Sequence, residues 1–249
     1  MKNAQILDGK KLANEIRSAL KTEVETLKKS RGITPGLAVI LVGGDPASEL
    51  YVNMKAKACE EVGVYSVVHK MPADVRAADI LDTLAMMNNN PFLDGILVQL
   101  PLPKHIDATP LLEKIAISKD VDGFHPHNFG RLVAGLETFA PCTPLGVTRL
   151  LSANKIDVKG MDACVVGASN IVGKPMAALL LNAGATVDIC HVHTRDLAEH
   201  TRRADLLVVG VGKANLIAGD MITGGAIAID IGINKIDGKV CGDIDYEAA

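Results

Sequence analysis

The stretch ACVVGASNIVGKPMAALLLNAGA, residues Ala163–Ala185, decides the fold. A short apolar run leads into a turn with glycines at 167 and 173, and a helix-forming run follows. Strand–turn–helix units of this kind build doubly wound α/β domains, where the turn and the helix N-terminus can hold a phosphate. The spacing is G-x-S-x-x-x-G rather than G-x-G-x-x-G, so a turn whose glycines serve packing alone also fits the pattern.

The same alternation continues on both sides of that stretch. The second half has predicted strands at 162–166, 186–191, 205–209 and 226–231, with helices at 144–154, 174–183 and 196–203. The first half begins with a predicted helix at 10–29. It continues with strands at 36–42, 64–68 and 94–100 and helices at 47–62, 75–88 and 107–117. The run GLAVILV (Gly36–Val42) has no polar alternation, which predicts a strand buried on both faces of a parallel sheet.

We therefore predict two α/β domains, 1–140 and 141–249, with a cleft between them. The first is a parallel-sheet domain covered by helices, and the second is a Rossmann-like, doubly wound nucleotide-binding domain. Residues 121–144 are rich in Gly, His, Pro and Phe and have no clear period. We interpret them as a loop region that joins the domains and helps to form a site.

Composition narrows the class of protein. The chain has 249 residues and a formal charge of -3, which argues against nucleic acid as a partner because a phosphate backbone requires a basic face. No apolar run approaches the roughly 20 residues that span a bilayer, so no membrane association is expected. The five cysteines are scattered, without a C-x-x-C pair, which favours a reducing, cytoplasmic compartment.

Tyr51 and Lys55 stand one helical turn apart in the helix predicted after Ala47. A lysine beside a ring in a partly dry cleft can carry a proton near neutral pH, which makes this pair a catalytic candidate. A solvated lysine next to a core tyrosine is the commoner meaning of a bare Y-x-x-x-K.

Gln99 is a polar residue at the carboxyl end of a predicted buried strand, where the crevice of an α/β fold lies. A purely structural hydrogen bond is the alternative role. Asp120 and Asp122 lie in KDVDGF, where turn formation alone could explain the Asp-Gly pair. His125 and His127 have no further ligands at suitable spacing, so no metal site is predicted.

A second group of candidates follows the later strands of the second half. His191, His193, Thr194 and Arg195 come after the strand that would meet the adenosine ribose, and they are neutral or basic. An acidic residue there favours NAD, whereas a cation favours the 2′-phosphate of NADP. The sequence thus leans towards NADP, with NAD as the alternative and a solvated Arg195 as the simpler interpretation. Gly210–Gly212 and Gly232 follow the next two strands, where the same crevice would lie.

Together these motifs closely resemble those of the bifunctional methylenetetrahydrofolate dehydrogenase/cyclohydrolase family. The resemblance runs in the family's order from near residue 9 to the end of the chain. It is carried by YVNMKAKACEEVG (51–63), GILVQLPLP (95–103), KDVDGFHPHNFGRL (119–132), PCTPLGV (141–147), VVGASNIVGKP (165–175) and IDIGIN (229–234).

The resemblance implies an enzyme that oxidises 5,10-methylenetetrahydrofolate with NADP and hydrolyses the methenyl product to 10-formyltetrahydrofolate. It implies that Tyr51 packs on the pterin, that Lys55 serves hydration and ring opening, and that Gln99 pairs with Lys55. Asp122 would anchor the pterin's amino edge. The implied substrate-binding set is Tyr51, Val98, Leu100, Pro101 and Asp122. The implied cofactor-binding set is Gly167, Ala168, Ser169, Val172, Gly173, His191, His193, Thr194, Arg195, Gly210, Val211, Gly212 and Ile233.

The resemblance also implies a homodimer. This sequence departs from the family's pattern at three places. Ala168 stands where some relatives carry Arg, and Val192 where some carry Ser or a basic residue, which keeps NAD open as the cofactor. Relatives continue past DIDYEAA (243–249) with a Pro- and Gly-rich loop and a helix that returns to the first domain, and these are expected to be missing here.

Two rival functions remain at this point. A short-chain dehydrogenase also pairs Tyr with Lys, but its nucleotide turn precedes the Tyr, whereas Gly167 follows Tyr51 here. A nucleotide-binding regulator that has lost the chemistry would not need Tyr51, Lys55, Gln99 and Asp122 together.

Overall fold

The computed structural model describes residues 4–236 and 238–248. By its internal contacts the chain divides into two compact units. One is Gly9–Asn128, and the other runs from Phe129 onward and includes the segment before Gly9. The sequence-based boundary at 140/141 remains a prediction.

The first unit is built on a parallel sheet of three strands in the order β2-β1-β3. Its elements are α1 (Gly9–Arg31), β1 (Gly36–Val42), α2 (Pro46–Val62), β2 (Tyr65–Met71), α3 (Ala77–Asn89), β3 (Gly95–Val98), α4 (Thr109–Leu112) and a 3₁₀ turn at Ile117–Lys119. Helix α5 (Pro126–Val133) follows and spans the division between the units.

The central strand β1 is buried on both faces, as its apolar run predicts. Ala38, Ile40 and Val42 pack in one hydrophobic cluster, whereas Val39 and Leu41 pack in another. Alternate residues of a strand point to opposite faces, so the two clusters are the cores on the two sides of the sheet.

The second unit contains a parallel sheet of four strands in the order β5-β4-β6-β7 and an antiparallel hairpin, β8-β9. Its elements are α6 (Cys142–Ala153), β4 (Asp162–Val166), α7 (Gly173–Asn182), β5 (Thr186–Cys190), α8 (Leu197–Arg203), β6 (Leu206–Val209), a 3₁₀ turn at Gly219–Met221, β7 (Ile227–Asp230), β8 (Asn234–Ile236) and β9 (Lys239–Cys241).

The strand order creates a topological switch point beside β4. The chain goes from β4 to β5 on one side, then crosses to β6 on the other side. Ligands of open α/β sheets bind at the carboxyl ends of the strands at such a point. Here the residues at that point are Gly167, which follows β4, and Gly210, which follows β6.

Three parts of the sequence-based assignment differ from the structure. The helix expected at 107–117 is only the single turn of α4, with separate turns after it. The strand expected at 94–100 ends at Val98, and a cis peptide bond follows at Leu100–Pro101. The region 121–144 is not all loop. It holds α5, whose eight residues include the Pro, His and Gly residues that favour a loop interpretation.

The buried and exposed leucines of α7 provide a direct test of the second core. Leu180 is 0% exposed and its neighbour Leu181 is 61% exposed. We expect Leu180→Ala to lower the free energy of unfolding by about 2–5 kcal/mol, because it leaves a cavity among packed side chains. Leu181→Ala should change it by less than about 0.5 kcal/mol. Urea denaturation measures both, and equal effects would contradict this packing.

Candidate active site

Helix α2 brings two candidate residues to the carboxyl edge of the first sheet. The chain leaves β1 through Gly43 and Gly44, and Asp45 caps the helix by accepting the backbone N–H of Ser48 at 2.8 Å. That N–H holds the pKa of the Asp45 carboxyl below its ordinary value. The cap fixes where the helix begins and therefore where its later turns lie.

Lys55 and Gln99 contact each other directly. The Nζ atom of Lys55 donates to Oε1 of Gln99 at 3.0 Å, and both side chains are half-buried. Gln99 is held at both ends, since its backbone N–H donates to Ile40 O at 2.9 Å and its Nε2 donates to Leu100 O at 2.8 Å. Its amide oxygen is thereby turned towards the lysine.

Tyr51 lies one turn before Lys55 on the same face of α2 and is 43% exposed. The other residues of the predicted substrate set differ in exposure. Leu100 is half-buried and Pro101 is exposed, but Val98 belongs to the hydrophobic core. Because Val98 as a whole residue is only 1% exposed, it offers almost no surface to a ligand.

Asp120 is a site-forming residue whose importance the sequence did not reveal. It is 1% exposed, and its carboxylate accepts the N–H groups of Phe124 at 3.2 Å and His125 at 2.9 Å and the Nδ2 group of Asn128 at 2.8 Å. These bonds close the turn that carries Asp122. Asp120 also pairs with Ile96 in a parallel bridge, which places the turn beside β3.

Lys119 fixes the same segment from the other side. Its ammonium group donates to Asn88 O and Asn90 O, both at 2.8 Å, at the end of α3. A cation at a helix C-terminus satisfies carbonyl groups that have no partner within the helix. The turn that carries Asp122 is thus tied to both α3 and β3.

The glycine turn of the second unit is closed by its own backbone. A Cβ atom on Gly173 would collide with the carbonyl oxygen of Gly167, and one on Gly167 would collide with the carbonyl oxygen of Gly210. Gly167 also has a φ of +120°, which side chains rarely tolerate. The glycine at 173 is therefore required for closing the turn.

Ser169 caps the helix that follows this turn. Its hydroxyl oxygen accepts the N–H groups of Val172 at 3.1 Å and Gly173 at 3.4 Å. Elsewhere in the turn, no acceptor in the described part of the chain meets the backbone N–H groups of Ser169, Asn170 and Ile171. Such N–H groups at the start of a ten-residue helix suit an anion.

The predicted ribose-facing residues form a compact turn after β5. The backbone N–H of His191 donates to Thr194 Oγ1 at 2.8 Å, and the N–H of His193 donates to His191 Nδ1 at 3.1 Å. The side chains of His191, His193 and Arg195 are exposed. These basic groups are available to a phosphate.

The loop after β6 is held by a residue that the sequence analysis did not single out. The backbone N–H groups of Val211 and Gly212 both donate to Oδ2 of Asp243, at 2.7 and 3.0 Å. Gly210 packs against Gly167, while Ile233 is mostly exposed. The sequence signal for Asp243 was slight, because an aspartate directly after a glycine is typical of an ordinary turn.

Within residues 4–236 and 238–248, no group of three or more His, Cys, Asp or Glu side chains is placed to hold a metal ion. In the same residues, no helix is long and apolar enough to cross a membrane.

Two family models match the chain. Residues 7–122 match the tetrahydrofolate dehydrogenase/cyclohydrolase catalytic domain, and residues 141–249 match the NAD(P)-binding domain of the same family. The chain belongs to the tetrahydrofolate dehydrogenase/cyclohydrolase family. The part of the chain that holds the first sheet, Lys55 and Gln99 matches the catalytic domain. The part that holds the second sheet, Gly167 and Gly173 matches the NAD(P)-binding domain.

Relatives and solved structures agree with this family. The bifunctional protein FolD of a Nitratiruptor species is 67% identical over 98% of this chain and 86% of the relative. The structure of the bifunctional enzyme FolD from Campylobacter jejuni has a TM-score of 0.96 at 52% identity, covering 98% of this chain and 87% of that one. The Trypanosoma brucei enzyme, complexed with NADP cofactor and inhibitor, has a TM-score of 0.95 at 33% identity, covering 100% of this chain and 88% of that one.

The collision at Gly173 predicts the sign of a substitution. In an ordinary helix, replacing glycine by alanine stabilises the fold. Here we expect Gly173→Ala to lower the free energy of unfolding by about 1–3 kcal/mol, because backbone must move to admit the methyl group. Gly224→Ala, where the Cβ meets open space, is the control and should be neutral within about 0.5 kcal/mol. A Gly173→Ala protein as stable as wild type would show that the turn does not need this glycine.

Proposed function

We propose that this protein is a bifunctional folate enzyme. In the first step, 5,10-methylenetetrahydrofolate and NADP⁺ give the 5,10-methenyl cation and NADPH. In the second step, water adds to that cation, the ring opens and a proton leaves, which gives 10-formyltetrahydrofolate. The observation that carries the proposal is the contact of Lys55 with Gln99, on a chain whose two domains match this family.

The folate contacts are assigned to the first unit. Tyr51, exposed on α2, packs on the pterin ring, and Asp122, presented by the turn that Asp120 closes, accepts from its amino edge. Leu100 and Pro101 add further contacts, and the buried Val98 supports them from the core. Holding the pterin in one orientation favours hydride transfer, which depends on geometry more than on acid or base assistance.

The nucleotide is assigned to the second unit, and the residues present there fit NADP. The N–H groups of Ser169, Asn170 and Ile171 would hold the linking phosphates at the start of α7. The exposed basic groups of His191, His193 and Arg195 suit the 2′-phosphate. When bound, NADP supplies the acceptor for the hydride.

Lys55 is assigned to the second step, and its partner explains how it works. The methenyl intermediate is a cation, so a charged ammonium group beside it would be repelled. Gln99 offers Lys55 an acceptor without a negative charge. A carboxylate in its place would stabilise the ammonium form, whereas the amide orients Nζ and leaves the lysine able to give up its proton to a developing leaving group or to take one from water.

The direct test is to mix the protein with methylenetetrahydrofolate and NADP and to record absorbance for NADPH and for the methenyl product. We expect NADPH to accumulate and the methenyl signal to stay low as it is hydrolysed. Absence of both signals with NADP and also with NAD would overturn the proposal.

Lys55→Met separates the two steps. We expect the rate of methenyl hydrolysis to fall by about 10²–10⁴-fold, because the group that moves the proton is gone. Some NADPH formation should remain. Lys57→Met, two residues on and exposed, is the matched control and should keep both rates. Wild-type hydrolysis by Lys55→Met would remove Lys55 from the mechanism.

A homodimer in the cytoplasm completes the proposal. The dimer is supported by the family resemblance, and the location by five scattered cysteines without a C-x-x-C pair. Light scattering should give about twice the chain mass of 26.2 kDa. A mass equal to one chain would contradict the dimer.

A further inference from the structure

Asp243 is a fully buried carboxylate outside the folate contacts proposed above. It is 0% exposed and follows β9 near the end of the chain. Within residues 4–236 and 238–248, no Lys, Arg or His forms an ion pair with it. A carboxylate buried without a cation is costly unless its oxygens are well hydrogen-bonded. The contacts of this side chain therefore indicate what it is for.

Within the described residues, the Asp243 carboxylate accepts hydrogen bonds from three N–H donors. Oδ2 accepts from the backbone of Val211 at 2.7 Å and of Gly212 at 3.0 Å, and Oδ1 accepts Nδ2 of Asn234 at 2.8 Å. One oxygen thus serves the loop after β6, and the other serves the start of the β8-β9 hairpin. The side chain joins two segments that are far apart in sequence.

The loop held by Asp243 lies against the glycine turn. The carbonyl oxygen of Gly210 is so close to Gly167 that no side chain could fit there, and Val211 Cγ1 approaches the same point. The position of the Gly210–Gly212 loop therefore determines the position of the turn that leads into α7. This is the edge at which the sheet topology places a nucleotide.

Asp230 in turn holds Asp243. Its carboxylate accepts the backbone N–H groups of Gly232 at 2.9 Å, Asp243 at 3.0 Å and Ile244 at 2.9 Å. A Cβ atom on Gly232 would collide with the Asp243 carboxylate, and one on Gly242 would collide with that of Asp230. Two glycines thus make room for two carboxylates, each packed against backbone.

We propose that Asp243 is a positioning residue for the nucleotide: by fixing the N–H groups of Val211 and Gly212, it holds the Gly210–Gly212 loop and the adjoining glycine turn in the form that binds NADP. This inference rests on the proposed function, in which the second unit binds NADP. Asp243 acts through the loop and contacts neither the folate nor the nucleotide.

The test uses Asp243→Asn, which keeps the shape and changes the donors. An asparagine has one accepting oxygen, so either its NH₂ group faces the N–H groups of the loop or it faces Nδ2 of Asn234. In the first orientation the loop N–H groups lose their acceptor, and in the second two NH₂ groups oppose each other although Asn234 Nδ2 keeps its contact with Gly242 O. We expect the dissociation constant for NADPH to rise about 10–100-fold. The hydrolysis of methenyltetrahydrofolate uses no nucleotide and should stay within about twofold of wild type.

Exchanging the two residues 234 and 243 should restore NADPH binding. In the double variant Asn234→Asp/Asp243→Asn, the amide oxygen at 243 can accept from the loop while its NH₂ group donates to the new carboxylate at 234. We expect the dissociation constant for NADPH to return to within about threefold of wild type. Asp245→Asn, two residues on and half-buried, is the matched control and should bind NADPH normally.

Two readouts are independent of turnover. NADPH binding is measured by fluorescence titration of the full chain, and hydrogen exchange of the Val211 and Gly212 amides is measured without nucleotide. Faster exchange and weaker NADPH binding in Asp243→Asn, both reversed by the double variant, support the proposal. Wild-type NADPH affinity in Asp243→Asn would overturn it, as would an equal loss of hydrolysis and NADPH binding that the double variant fails to restore.

Failure of the proposed function gives a different result. A wild-type protein that binds NADPH but acts on no folate would refute the folate chemistry, while the titrations would still decide the role of Asp243. A wild-type protein that does not bind NADPH would overturn the role of Asp243 as well.

Discussion

Parallel strand pairing is the constraint on which the molecule depends. Both main sheets are parallel, so the carboxyl ends of β1, β2 and β3 meet at one edge of the first sheet and those of β4, β5, β6 and β7 meet at one edge of the second. The residues of the candidate site follow those ends. Lys55 is on the helix after β1, and Gln99 comes directly after β3. Gly167 follows β4, and Gly210 follows β6. Residues far apart in sequence become neighbours because hydrogen-bonded strands deliver them to the same place.

Neutral partners are a second common feature of the site. Lys55 is held by an amide oxygen rather than by a carboxylate. Asp120 and Asp243, the most deeply buried carboxylates, are held by backbone N–H groups and an asparagine rather than by cations. N–H dipoles fix a buried side chain in place without adding a charge to the surroundings. In the proposed mechanism this matters most at Lys55, where a nearby negative charge would oppose the loss of a proton.

The sequence was sufficient where one local pattern determines one structure. The unbroken apolar run of β1 predicts burial on both faces, and the Tyr51–Lys55 spacing gives a shared helix face. The sequence was insufficient where contacts between distant residues determine the role of a side chain. Asp120 looks like an ordinary turn residue until the bonds to Phe124, His125 and Asn128 are seen. Gly173 looks like a glycine for a phosphate, although its first neighbour is the Gly167 carbonyl. The strands of the β8-β9 hairpin are too short to show a period, and α5 lies among Pro, His and Gly residues that favour a loop.

In the proposed function, one protein removes hydride from the methylene carbon and then hydrates that same carbon. Methylenetetrahydrofolate carrying two deuterium atoms on that carbon tests both steps in a single incubation with NADP. We expect one deuterium to appear in NADPH and the other to remain on the formyl carbon of 10-formyltetrahydrofolate. NADPH without deuterium, or a formyl group that has lost its remaining deuterium to water, would contradict it.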